Sequence, residues 1–236
     1  MNHATYALII ALLFAGNLST QAQLSAETTP VTSKQTVHYW QYLPDNYEAD
    51  TATLFPLVVF LHGGGEVGSD QELVKKHGLP KLIAQGQSFP FVLVAPQNPH
   101  DQLWDDALVL SVLDRAMATH RIDPDRVYLT GLSRGGFGTW RLAIQHPERF
   151  AAIAPVCGGG LPDYAFRIKD VPVWAFHGAK DRAIPLSRTV AMVEALLAAG
   201  GNVKLTVYPE AEHDAWTETY DNPELYTWLL GHSRAK

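Results

Sequence analysis

The stretch Arg126-Val127-Tyr128-Leu129-Thr130-Gly131-Leu132-Ser133-Arg134-Gly135 joins an apolar, β-branched run to a segment with helical character, with a serine at the joint. The pattern G-x-S-x-G has a physical cause. A serine on a sharp turn between strand and helix holds its hydroxyl clear of the backbone, and glycines two residues to either side let the two elements approach without side-chain collision. The helix start behind Ser133 adds backbone N–H groups without intrahelical acceptors and the positive end of a dipole, both suited to an oxyanion. Ser133 is therefore the candidate nucleophile, and the N–H of Arg134 a candidate oxyanion-hole donor.

Outward from this joint the chain alternates between short apolar runs and amphipathic stretches. Leu57–Leu61, Phe91–Ala95, Ala151–Ala154 and Val171–Phe176 are nearly continuous in apolar residues, as expected of strands covered on both faces. Arg126–Thr130 and Val203–Tyr208 join the series, and Thr36–Leu43 alternates like an edge strand or hairpin arm. Between them, helices are expected over Asp106–His120, Gly135–Gln145 and Leu186–Ala199, with a last one over Pro223–Leu230. This order predicts an α/β fold with a mostly parallel central sheet and helices on both faces. In such sheets reactive groups gather at the carboxyl ends of the strands. No insertion large enough for a lid is evident between Val156 and Val171.

The strand-end rule selects the remaining candidates. His62-Gly63-Gly64-Gly65 follows the strand ending at Leu61, and a bare glycine backbone there can turn an N–H toward developing negative charge, so Gly64 is favoured over Gly65 as the second oxyanion donor. Asp181 follows the strand ending at Phe176 and is the candidate acid, whereas Asp163 and Asp170 fall in an expected surface excursion. His213 follows the strand Val203–Tyr208 and is the candidate base, flanked by Glu210, Glu212 and Asp214, which are expected to be solvated. His232 lies beyond the last helix, and His62 and His177 are expected to be hydrogen-bonded core or rim residues.

The chain at this point resembles small α/β-hydrolase carboxylesterases of the phospholipase/carboxylesterase, polyhydroxybutyrate-depolymerase-like or feruloyl-esterase-like group. The matching stretches are Leu61–Glu66, Tyr128–Trp140, His177–Asp181 and His213–Trp216, and the likeness extends from about Leu57 to Leu230. The resemblance implies an α/β-hydrolase fold and a cofactor-free serine esterase whose catalytic positions fall on Ser133, Asp181 and His213. One departure concerns substrate: related esterases often carry an apolar residue after the nucleophile, and here Arg134 stands there. A cation in a first helical turn opposes the dipole, so Arg134 is expected either to pair with Glu66, Asp105 or a loop carboxylate, or to bind an anionic group on the substrate. Trp104 and Trp216 lie in loops beside the expected site. They form an acyl or aryl pocket in one reading and pack loop onto domain in the other. Arg134, Glu66, Trp104 and Trp216 are thus the candidate substrate-contacting residues.

Composition narrows the alternatives. The 236 residues carry a net charge of -6 and no basic run, which argues against nucleic acid as a partner. The ten histidines are scattered and the single cysteine, Cys157, has no partner, so neither a metal constellation nor an intramolecular disulfide is expected. Residues 1–22 lack Asp, Glu, Lys and Arg, and Ala7–Ala15 is an apolar run of signal-peptide length. A signal peptide over 1–22 cut before Gln23, an extended or disordered segment over 23–35 and a single catalytic domain over 36–236 are expected, with export to the periplasm or medium and no stable membrane anchor. Two competing readings are a peptidase related to prolyl oligopeptidases and a non-catalytic binding protein on a hydrolase scaffold. The first is disfavoured because the stretch before Thr36 is too short for one propeller blade of about 40 residues. The second is disfavoured because serine, acid and base are all present.

Overall fold

The computed structural model describes residues 36–234, so the expected signal peptide and the segment 23–35 lie outside the described residues. Seven strands form one sheet: β1 (Tyr39–Tyr42), β2 (Phe55–Leu61), β3 (Val92–Pro96), β4 (Ile122–Leu132), β5 (Ala152–Val156), β6 (Val173–Gly178) and β7 (Val203–Tyr208), in the spatial order β1-β3-β2-β4-β5-β6-β7. Every pairing is parallel except β1 with β3, so the expected edge strand is there and antiparallel. The helices are α1 (Gly78–Ala84), α2 (Asp106–Thr119), α3 (Arg134–Gln145), α4 (Ser187–Ala198), α5 (Trp216–Asp221) and α6 (Pro223–Leu230).

Strand periodicity divides the interior into two layers. Leu57, Val59, Leu61, Leu129 and Ile153 point to one face, where they pack with Val109, Leu113, Trp140, Met192 and Leu196 of α2, α3 and α4. Val58, Phe60, Tyr128, Ala154 and Phe176 point to the other, against Leu79, Tyr220, Leu225 and Leu229 of α1, α5 and α6. Because both faces are covered, β2, β3, β5 and β6 are buried along their whole length, which is why their sequences run apolar without alternation. β7 is partly exposed, as suits an edge.

β4 begins four residues earlier than its apolar run. Phe55 pairs with Ile122, the register then shifts before Leu57 meets Val127, and Pro124 sits in that irregular stretch, where a missing N–H is tolerated. Between β5 and β6 the chain makes one 3-10 turn, Pro162–Ile168, held by buried Ala165 and Ile168. Among the described residues no helix is long and apolar enough to cross a membrane.

Candidate active site

The site stands at the carboxyl end of β4, the middle strand of the seven. Ser133 leaves that strand at φ 54° and ψ -116°, a backbone region that L residues occupy only under constraint from their surroundings. The constraint is visible on both sides. A Cβ on Gly131 would lie 2.6 Å from the carbonyl oxygen of Gly135, and one on Gly135 would collide with the carbonyl of Leu61. The Ser133 amide donates to Val156 O at 2.9 Å, fixing the turn to β5.

Two further loops bring their side chains to this serine. His213, after β7, places Nε2 2.9 Å from Ser133 Oγ and Nδ1 2.7 Å from Asp181 Oδ2. Asp181, after β6, has a fully buried side chain, and its other oxygen, Oδ1, accepts the amides of Ala183 at 2.9 Å and Ile184 at 2.8 Å. With all of its oxygens accepting, the carboxylate requires the hydrogen of a neutral His213 to sit on Nδ1. That leaves Nε2 free to accept from the serine hydroxyl. The structure thus brings together the three residues selected by position, while His232 sits at Trp228 with its carbonyl bonded to Tyr128. Glu210 pairs with Lys180, and Glu212 and Asp214 are exposed, matching their expected solvated state.

The glycine loop stands beside the serine. A Cβ on Gly63 would be 3.5 Å from Ser133 Cβ, and one on Gly64 would touch the Arg134 guanidinium at 3.0 Å, whereas Gly65 faces open space. His62 anchors the loop: its Nδ1 donates to Gly63 O at 2.7 Å while its Nε2 accepts from Asn98 N at 3.0 Å. Burial is the main cause that keeps His62 below the ordinary imidazole range, in keeping with this neutral tautomer.

Three of the candidate substrate contacts take on other work. Glu66 is buried and its Oε2 accepts the Gly63 amide at 2.9 Å, with Oε1 3.7 Å from His77 Nε2; it clamps the glycine turn and does not face a ligand. Trp104 is 1% exposed, its indole donates to His62 O at 3.1 Å and its ring meets His62 edge-on, so its polar edge is spent on the loop. Arg134 pairs with Asp101 at 2.7 Å and donates to Gln102 O; the compensating carboxylate is this loop residue, neither Glu66 nor Asp105. Trp216 does adjoin the site, edge-on to His213 at 5.1 Å and 5.3 Å from His77. It lines an open cleft of 720 Å³ together with Glu212, Asp214 and Glu218.

Position in sequence did not reveal a further concavity beside α3, a cavity of 240 Å³ walled by Leu103, Trp104, Phe137, Leu161 and Arg188. Its lining comes from four separate segments, and the exposure of Leu103 and Leu161 exists only in three dimensions. Nor did spacing show that the Cys157 thiol stands within 4.8 Å of both Asp181 and His213. Burial, then the Asp181 charge, pushes that thiol up to about 12, so it stays an S–H group and a poor metal ligand.

A serine at a strained strand-to-helix turn on the middle strand of a parallel sheet, met by loops from later strands, places the chain in the α/β-hydrolase class. A family model described as "Putative esterase" matches residues 31–160, and the chain belongs to that family. It is 31% identical over 145 residues to poly(3-hydroxyalkanoate) depolymerase C of Paucimonas lemoignei, covering 54% of this chain and 33% of that protein. To feruloyl esterase B of Thermothelomyces thermophilus it is 30% identical over 137 residues, covering 52% and 44%. The solved structure of a thermostable esterase superposes with a TM-score of 0.72 at 32% identity, over 84% of this chain and 60% of that one. An acylaminoacyl peptidase of Pyrococcus horikoshii shares the fold, with a TM-score of 0.62 at 16% identity over 85% of this chain and 39% of that one. The chain spans less than half the length of the curated relatives it matches.

Proposed function

We propose that this protein is a serine hydrolase that cleaves carboxylic esters through an acyl-enzyme. The observation that carries the reading is the unbroken chain Ser133 Oγ, His213, Asp181, with contacts of 2.9 and 2.7 Å. Neutral His213 takes the serine proton as Oγ attacks the ester carbonyl, then returns it to the leaving alcohol; Asp181 holds the tautomer and stabilises the transient imidazolium. The tetrahedral oxyanion is received by the Arg134 amide, at the first position of α3, and by the Gly64 amide from the neighbouring loop. Water, activated by the same imidazole, then releases the acid.

Short or aryl acyl groups suit the open cleft beside Trp216 and the 240 Å³ apolar cavity along α3. Similarity to a feruloyl esterase and a polyester depolymerase supports ester rather than amide substrates. The N-terminal apolar run supports export, with cleavage before Gln23; N-terminal sequencing of the protein recovered outside the cytoplasm checks that position. The deciding assay compares wild type with Ser133→Ala on p-nitrophenyl acetate, butyrate and palmitate, a feruloyl ester and an acylaminoacyl peptide. The expected result is turnover of acetate, butyrate or feruloyl esters that falls at least about 10³-fold in the variant. Undiminished turnover in the variant, or faster cleavage of the peptide than of every ester, would overturn the reading.

A further inference from the structure

A second imidazole faces the same oxygen of Asp181 that His213 meets. His177, at the end of β6, has no exposed side-chain surface. Its Nδ1 is 2.7 Å from Thr189 Oγ1 on α4; its Nε2 is 2.9 Å from Ile184 O and 3.2 Å from Asp181 Oδ2. Thr189 Oγ1 is in turn 2.5 Å from Gly158 O.

Counting hydrogens through this chain leaves one arrangement that keeps every one of these contacts. The threonine hydroxyl has a single hydrogen, and the Gly158 carbonyl can only accept, so the hydrogen points there and Oγ1 offers His177 a lone pair. Nδ1 must therefore donate. On the opposite edge of the ring Nε2 faces a carbonyl and a carboxylate, both pure acceptors, so it must donate as well. A neutral imidazole would leave a lone pair pressed against an oxygen at one edge or strip the Gly158 carbonyl of its hydrogen, and the ring is fully buried. The anion facing the ring is Asp181. Beyond Asp181 stand His213 and the protonated Cys157 thiol, and the cations nearest in the chain, Lys180, Arg182 and Arg188, are exposed.

We propose that His177 is held as a buried imidazolium and acts as a positioning residue for Asp181, a second cation sharing the carboxylate oxygen that orients His213. This rests on the reading of Ser133, His213 and Asp181 as the catalytic set. The consequence is electrostatic. A carboxylate already facing one imidazolium attracts a second proton onto His213 less strongly than a lone carboxylate would. Deleting the buried cation moves the acid limb of the activity profile to higher pH, by direct effect on His213 and by easing protonation of Asp181, which acts in the same direction.

The test has two arms. In wild-type protein with ¹⁵N-labelled histidine at pH 7.5, both ring nitrogens of His177 are expected to show as N–H; a neutral-tautomer pattern would overturn the proposal without use of any activity. In His177→Gln, kcat/KM at pH 6 relative to pH 8 is expected to fall about three- to sixfold against wild type, as a shift of about one unit in the acid limb gives across that window, with KM little changed. A uniform loss at every pH marks a merely structural residue and overturns the proposal. Where His177→Gln does not fold, the resonance arm decides alone. Hydrolysis by Ser133→Ala removes the catalytic reading and leaves the resonance result standing.

Discussion

Two histidines at strand ends illustrate how single hydrogen bonds set the state of a side chain. His62 receives an amide N–H at Nε2 and is neutral; His177 has no amide N–H on either nitrogen and stands between the Thr189 hydroxyl and the Ile184 carbonyl, the ground for the proposal made for it above. At the same scale Asp181 is held by two backbone amides independent of His213, so Asp181→Asn should fold while placing an amide against Nδ1 and favouring the wrong tautomer. A drop in kcat of about 10⁴ with little change in KM is expected, and steady-state kinetics check it. Arg134 has found its counter-charge in Asp101, an exposed carboxylate, and such pairs contribute little. Arg134→Met should accordingly change KM for anionic and neutral esters by the same factor. A loss confined to anionic esters would assign the guanidinium to substrate binding instead.

At the scale of elements, the turn from β4 into α3 tolerates no added atom. Gly135→Ala would drive a methyl group into the Leu61 carbonyl on β2, where neither backbone can retreat without breaking the sheet; a loss of roughly 3 kcal/mol is expected from overpacking, measured by urea unfolding. Most elements that position the site were legible because both-face burial writes itself into sequence as continuous apolar runs, and because Ser133, Asp181 and His213 each lie in the turn or loop after a strand. Shorter elements were not. α1 and α5, of seven and six residues, offer too few turns for a period to register, and the start of β4 was hidden by Pro124. Glu66 reads as a ligand contact because its position in a loop near the site is visible in the sequence while its burial is not; for Trp104 both readings keep support, since its indole N–H bonds the His62 carbonyl while its ring walls the cavity along α3. The Arg134–Asp101 pair joins the start of α3 to the loop before α2, and their meeting depends on how these two pack, which no local pattern encodes.

For the molecule as a whole, buried neutral imidazoles couple stability to pH. His62, His77, His120 and His232 all lie below the ordinary value of 6.5, with burial the largest cause in each. The unfolded chain therefore binds more protons than the folded one just below pH 6.5, and stability rises with pH there. The contribution of these four groups should be complete above about pH 7 and erode as pH falls through 6.5 toward the lower folded values, whereas the imidazolium proposed for His177 acts with the opposite sign above pH 6.5. Urea midpoints that stay constant from pH 6.5 to pH 5 would contradict the first effect. The backbone angles of Ser133 carry a last implication. A residue forced into a left-handed conformation raises the energy of the native state, and glycine occupies that conformation freely. Ser133→Gly should consequently outlast Ser133→Ala on heating, although both are inert toward esters. The chain would then prove to keep its reactive hydroxyl at the expense of its own heat tolerance, a trade between endurance and reactivity located at a single Cα.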